Sequence, residues 1–105
     1  MQIAVCASCP LGKAGFAARL RLATASLPFT TEVAEVDCMS GCARESTAAF
    51  RSPGKVAYLF GDLAEADLAD LLAFACHYHA SPDGAFADAR VLGVLRMKAL
   101  ARIPG

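Results

Sequence analysis

Two closely spaced cysteine pairs, Cys6-Ala7-Ser8-Cys9 and Cys38-Met39-Ser40-Gly41-Cys42, each follow directly on a short apolar segment rich in β-branched residues. Gln2–Val5 and Phe29–Val36 both read as strands, so each pair begins where a strand ends. If the two strands are parallel neighbours, both pairs emerge at the same edge of one sheet. Parallel strands lie about 4.8 Å apart, close enough for four sulfurs to converge. A fifth cysteine, Cys76, makes the count odd, which suits a disulfide framework poorly and favours metal or redox chemistry.

The stretch between the two strands supports the parallel arrangement. From Lys13 to Leu27, Phe16, Leu20, Ala23 and Leu27 recur at helical spacing, with Lys13, Arg19 and Arg21 mostly off that face. Pro28 closes the helix. After the second cysteine pair, Thr47–Arg51 and Lys55–Phe60 flank the turn Ser52-Pro53-Gly54 and predict a hairpin. Asp62 with Glu65 three residues on predicts a capping box. Leu68, Leu71, Leu72, Ala75 and His79 then form one helix face, with Cys76 at its edge as a packing residue. His77 and His79 read as surface residues compensating the helix dipole.

The order is β-α-β, a cysteine loop, then β-hairpin-α. It predicts an α/β fold with a mixed four-stranded sheet, the thioredoxin-like arrangement with its middle helix replaced by the Cys38–Cys42 loop. One domain spans residues 1–105, with a core over 2–79. Residues 85–105 form a C-terminal extension, for which a helix over Arg90–Ala101 and a strand through Leu95–Ile103 fit equally well.

Composition narrows the function classes. Apolar residues make up 56% of the chain and charged residues 19%, which excludes disorder. Ten basic and ten acidic residues give a formal charge of zero, against a nucleic-acid-binding role. The longest stretches without Asp, Glu, Lys or Arg are Met1–Gly12 and Leu71–Pro82, shorter than the roughly 20 residues of a membrane span. The first residues lack a basic region followed by an apolar one, so a cytoplasmic location, where thiols stay reduced, is expected. Charge is nevertheless segregated. Residues 1–31 carry three bases and no acid, 32–83 nine acids and three bases, and 84–105 one acid and four bases. Either the segments neutralise one another within the fold, or the acidic one is a docking face.

Three readings of the cysteines are open. A dithiol oxidoreductase needs only Cys6 and Cys9, leaves Cys38 and Cys42 without a role, and usually has a proline before the hairpin, where this chain has Arg44-Glu45-Ser46-Thr47. A zinc site, structural or for metal delivery, suits four thiolates. An iron–sulfur cluster also suits them, and Gly41 between two ligands leaves room for a cluster and for backbone N–H groups turned towards sulfur. Gly12-x-x-Gly15 is too weak a pattern for a phosphate loop. Catalytic triads and paired carboxylates in a recognisable context are absent from the pattern, so a non-enzymatic role is expected.

The cysteine loops, the hairpin and the acidic start of the last helix resemble the thioredoxin-like [2Fe–2S] ferredoxins over roughly residues 2–79. Cys38-Met39-Ser40-Gly41-Cys42-Ala43-Arg44, Tyr58-Leu59-Phe60-Gly61-Asp62-Leu63 and Ala101-Arg102-Ile103-Pro104 are similar to a bacterial family described only as predicted metal-binding proteins. These resemblances imply Cys6, Cys9, Cys38 and Cys42 as ligands of a [2Fe–2S] cluster that passes single electrons to a redox partner protein. They also imply a homodimer. The ferredoxins space their first two ligands more widely than Cys6 and Cys9, and members of the bacterial family tend to carry a cysteine near where Ser46 stands.

Overall fold

The computed structural model describes residues 1–7, 10–36, 46–86 and 89–103. Five strands, β1 (Gln2–Cys6), β2 (Glu32–Val36), β3 (Ala48–Arg51), β4 (Ala57–Phe60) and β5 (Ala99–Ile103), form one mixed sheet in the order β2-β1-β3-β4-β5. β1 and β2 are parallel, and the other three pairings are antiparallel. The α/β class and the parallel pair match the expectation. The strand count does not: the C-terminal segment supplies a fifth strand, hydrogen-bonded to β4.

Both alternatives for that segment are realised in turn. Ala89–Met97 winds as 3₁₀ turns broken at Gly93 (φ 57°), and Ala99–Ile103 is extended. Leu95, from the turns, is fully buried in the hydrophobic core. The alternation of Leu95, Met97, Ala99, Ala101 and Ile103 is thus a strand pattern only in its second half.

Helices α1 (Pro10–Lys13) and α2 (Phe16–Thr24) replace the single predicted helix, because Gly15 takes φ 87° between them. The buried residues of α2 are Phe16, Ala17, Leu20 and Thr24, so the stripe is turned from the predicted one. Thr24 is buried because its hydroxyl donates back to the Leu20 carbonyl at 2.9 Å, and Ser26 does the same to Ala23 at 3.0 Å. These bonds occupy last-turn carbonyls, and the helix ends before Leu27 and Pro28 are reached. Phe29 falls outside β2, and its ring stacks on His79 with centroids 4.0 Å apart.

Helix α3 (Leu68–Ala80) begins after a 3₁₀ turn at Glu65–Asp67. The predicted cap is displaced. Asp62 lies in the turn after β4 at φ 55°, while the Asp67 carboxylate accepts the Ala64 N–H at 2.8 Å. Glu65 instead forms a two-pronged ion pair with Arg19 of α2. The buried face of α3 is Leu71, Phe74, Ala75 and Tyr78. This corrects the predicted face: His79 is exposed, and so is Cys76, which is not a packing residue. The two rings, the largest side chains of the helix, set its rotation. Phe74 packs edge-on against Phe50 and Phe60, and the Tyr78 hydroxyl donates to the Val56 carbonyl at 2.6 Å. At the other end, Lys55 Nζ donates to the carbonyls of Tyr78 and His79, supplying the positive charge expected of the histidines.

Helices α2 and α3 pack over one face of the sheet, burying Ile3, Val5, Ala48, Phe50, Tyr58 and Phe60. The alternate residues Ala4, Ala49, Ala57, Leu59 and Ala101 turn to the other face and are half-buried. The charged segments meet within the fold. Arg19–Glu65 joins the basic first segment to the acidic one, and Lys98–Asp67 joins the basic last segment to it.

Candidate metal centre

Cys6 is the last residue of β1 and the Cα partner of Val36, the last residue of β2. Parallel pairing therefore brings the two chain exits to one edge of the sheet. The Ala7 N–H donates to the Val36 carbonyl at 2.7 Å, just where both chains leave. A second tie closes the far ends of the same two segments: the Leu11 N–H donates to Ser46 Oγ at 3.2 Å. The segment holding Cys9 and the segment holding Cys38 and Cys42 are thus joined to each other at both ends. Cys9, Cys38 and Cys42 themselves lie outside the described residues.

Cys6 is only 2% exposed, yet it is not part of the contiguous hydrophobic core under the helices. Strand alternation explains its absence from that core. Ile3 and Val5 face the helices, so Cys6 shares the opposite face with Ala4. Continuing the β1–β3 register past Val5 and Ala48 sets Cys6 opposite Thr47, and the Cys6 N–H donates to the Thr47 carbonyl at 3.1 Å.

Ser46 and Thr47 shape the edge; the sequence singles out the Ser46 position only through the resemblance, and gives Thr47 no functional role. Ser46 takes φ 62°, a conformation that residues other than glycine rarely adopt. It is held there from two sides: its carbonyl accepts the Leu63 N–H at 3.1 Å, and its hydroxyl accepts that of Leu11. Thr47 is 2% exposed, and its hydroxyl has no hydrogen-bond partner among the described residues. The available signal was their place in the chain, immediately before β3 where the dithiol fold has its proline. Among the described residues no three His, Cys, Asp or Glu side chains gather as a metal site. Cys76 stands on the exposed side of α3, apart from this edge.

Chemically, the edge offers one buried sulfur, a buried hydroxyl with no hydrogen-bond partner among the described residues, and two clamped segments carrying three further cysteines. Thiolates, were these cysteines to converge, are the soft, anionic donors that zinc and iron–sulfur clusters take. None of the described helices is long and apolar enough to cross a membrane.

No curated protein and no solved structure matches the chain. A family model described as "Protein of unknown function (DUF1636)" matches residues 3–105. With nearly its whole length covered by that match, the chain belongs to the DUF1636 family.

Proposed function

We propose that this protein is a metal-binding electron carrier or redox sensor that holds a [2Fe–2S] cluster on Cys6, Cys9, Cys38 and Cys42. The observation that carries the reading is the double tie between the cysteine segments, Ala7 to Val36 and Leu11 to Ser46. Cys9 is three residues from Cys6, and Cys38 is two residues from the Val36 level. At 3.8 Å per residue, chain reach alone limits either cysteine's Cα to about 12 Å from that of Cys6. The order β2-β1-β3-β4 with β1 and β2 parallel supports a thioredoxin-like fold to which β5 is added.

When bound, the cluster supplies a site that takes up and returns one electron. The chain's own part is to hold the sulfurs and keep water from them. Burial of Cys6 serves both ends, and it weighs against the dithiol alternative, whose first cysteine must be open to attack. Zinc binding, as a structural or metal-delivery site, is the competing reading and uses the same four residues. In this proposal the protein is a carrier and not an enzyme. It works in the cytoplasm, binds neither nucleic acid nor membrane, forms a homodimer and meets a redox partner protein at its acidic stretch.

Anaerobic purification followed by metal, sulfide and spectral analysis tests the reading. The expected result is a brown protein with two irons and two labile sulfides per chain and broad visible absorption. Cys6→Ser should lose it. A colourless protein carrying one zinc per chain refutes the cluster.

A further inference from the structure

Thr47 presents an anomaly that the ligands alone do not explain. It is 2% exposed, and its Oγ1 lacks a hydrogen-bond partner among the described residues. Buried hydroxyls are nearly always satisfied, and one left unpaired opposes folding. Replacing threonine by valine would remove that burden at almost constant shape. A buried hydroxyl with no partner among the described residues therefore asks for an acceptor that belongs to another state of the protein.

Its position names the acceptor. Thr47 is the cross-strand neighbour of Cys6, tied to it by the 3.1 Å bond from the Cys6 N–H to the Thr47 carbonyl. Directly opposed residues on adjacent strands have Cβ atoms about 5 Å apart, within reach of a hydroxyl–sulfur bond after a side-chain rotation. Ala48 and Phe50 face the helices, so Thr47 shares the opposite face with Cys6. A neutral thiol is a weak acceptor, whereas a metal-bound thiolate carries charge and is a strong one.

We propose that Thr47 tunes the metal centre: its hydroxyl donates a hydrogen bond to the Cys6 sulfur when that sulfur is a thiolate ligand. This rests on the metal-binding reading above and adds a residue to it. A donor to a ligand sulfur offsets negative charge, and the reduced cluster has one more negative charge than the oxidised one. Thr47 therefore favours the reduced form and raises the potential. No bond is made or broken beyond the hydrogen bond.

The test compares wild type, Thr47→Val and Thr47→Ser as full chains. Iron and sulfide content of the wild type decides the cluster reading first and independently. In the iron-loaded proteins, a redox titration followed by visible absorption should show Thr47→Val shifted towards the oxidised form by about threefold to tenfold. At 59 mV per tenfold for one electron, that is a fall of about 28 to 59 mV, and Thr47→Ser should stay with the wild type. If the wild type takes only zinc, the readout is the thiolate-to-metal absorption band of the cobalt(II)-substituted proteins. That band should move in Thr47→Val and not in Thr47→Ser. The chelated, metal-free proteins give the second arm, in which Thr47→Val should melt no lower than wild type. A shifted potential or cobalt band in the loaded protein, with an undiminished melting temperature in the metal-free one, is the signature of a tuning residue, since loss of a purely structural bond lowers the melting temperature. Thr47→Val with an unmoved potential or cobalt band overturns the proposal. So does a metal-free Thr47→Val that melts below wild type, because the hydroxyl then has a partner within the fold.

Discussion

Lys98 is the peg that fixes the fifth strand, and removing it should show how the C-terminal segment is held. Its Nζ donates to Asp67 Oδ2 at 2.5 Å and to the Asp62 carbonyl at 2.8 Å. The lysine and aspartate side chains are 24% and 9% exposed, and the same Asp67 oxygen accepts the Ala64 N–H. Lys98→Met keeps the aliphatic stem but strands a nearly buried carboxylate. Breaking a fully buried pair costs about 3–5 kcal/mol. Here one end is partly solvated and the carboxylate keeps one backbone donor, so about 2–3 kcal/mol is expected. Asp67→Asn keeps an acceptor for Ala64 and removes the counter-charge, for about 1.5–2 kcal/mol. Because each variant removes the same pair, the double variant should fall short of the sum by about 1–2 kcal/mol. Equilibrium urea unfolding of the four proteins measures this, and each single variant should lower the melting temperature by about 10 °C. Amide exchange at Gly61, whose N–H donates to the Lys98 carbonyl at 2.8 Å, should accelerate in Lys98→Met. Strict additivity, with Gly61 protection unchanged, would refute the reasoning and leave the pair a surface accident.

Four further changes separate neighbouring effects. Gly84→Ala should destabilise by about 2–4 kcal/mol, combining a left-handed backbone (φ 75°) with a Cβ placed 2.9 Å from Tyr78 Cε1 and 3.0 Å from the Val56 nitrogen. Gly54→Ala has the same φ and open space, so thermal melts should show only the backbone share, about 1 kcal/mol. Burial raises the Tyr78 pKa above 10.0. The unfolded chain therefore loses that proton first, and stability is complete below pH 10.0 and falls as pH rises towards the folded value. Tyr78→Phe should lose about 1 kcal/mol at neutral pH with the bond to Val56 and show a shallower alkaline decline, read from melts across that range. Cys76→Ser, on the exposed side of α3, should change stability by less than about 0.5 kcal/mol and leave metal content at the wild-type value.

Local signals carried most of the scaffold. The hairpin was readable from Ser52-Pro53-Gly54, and the Lys55 N–H does close that turn on the Ser52 carbonyl at 3.1 Å. The parallel pair was readable from two apolar segments with a helix between them. The features that escaped are those decided by tertiary partners. Both Asp62 and Glu65 satisfy a capping pattern, yet Glu65 is drawn to Arg19 and Asp67 becomes the cap. The α3 stripe that counts leucines passes through Leu72 and His79. The one that packs passes through Phe74 and Tyr78, because two rings outweigh the aliphatic count. That rotation is what moves Cys76 to the surface. The fifth strand was ambiguous because its alternation runs unbroken from the 3₁₀ turns into β5. Only the β4 edge and the Lys98–Asp67 pair distinguish the two halves.

At the candidate centre, the sequence carried the two cysteine pairs and the parallel strands whose ends lie at one edge of the sheet. What it could not carry is the shape of that edge, because that lies in residues without distinctive chemistry. Ser46 looks like an ordinary loop serine until its φ of 62° and its two backbone partners show it clamping the Leu11 and Leu63 segments. Thr47 looks like the first residue of a strand until its burial and its position across from Cys6 are seen. The distribution of charge points the same way. Two of the acidic side chains, Glu65 and Asp67, are engaged by Arg19 and Lys98, which ties the basic ends of the chain onto α3 and the turn before it. The segregated charges thus serve the fold first. A redox partner drawn to the acidic stretch would have to be recognised by the carboxylates those pairs leave over. Reversing Glu32, exposed on the edge strand β2, should slow electron transfer to such a partner and lose that effect at high salt, while Glu65→Gln should act mainly on stability.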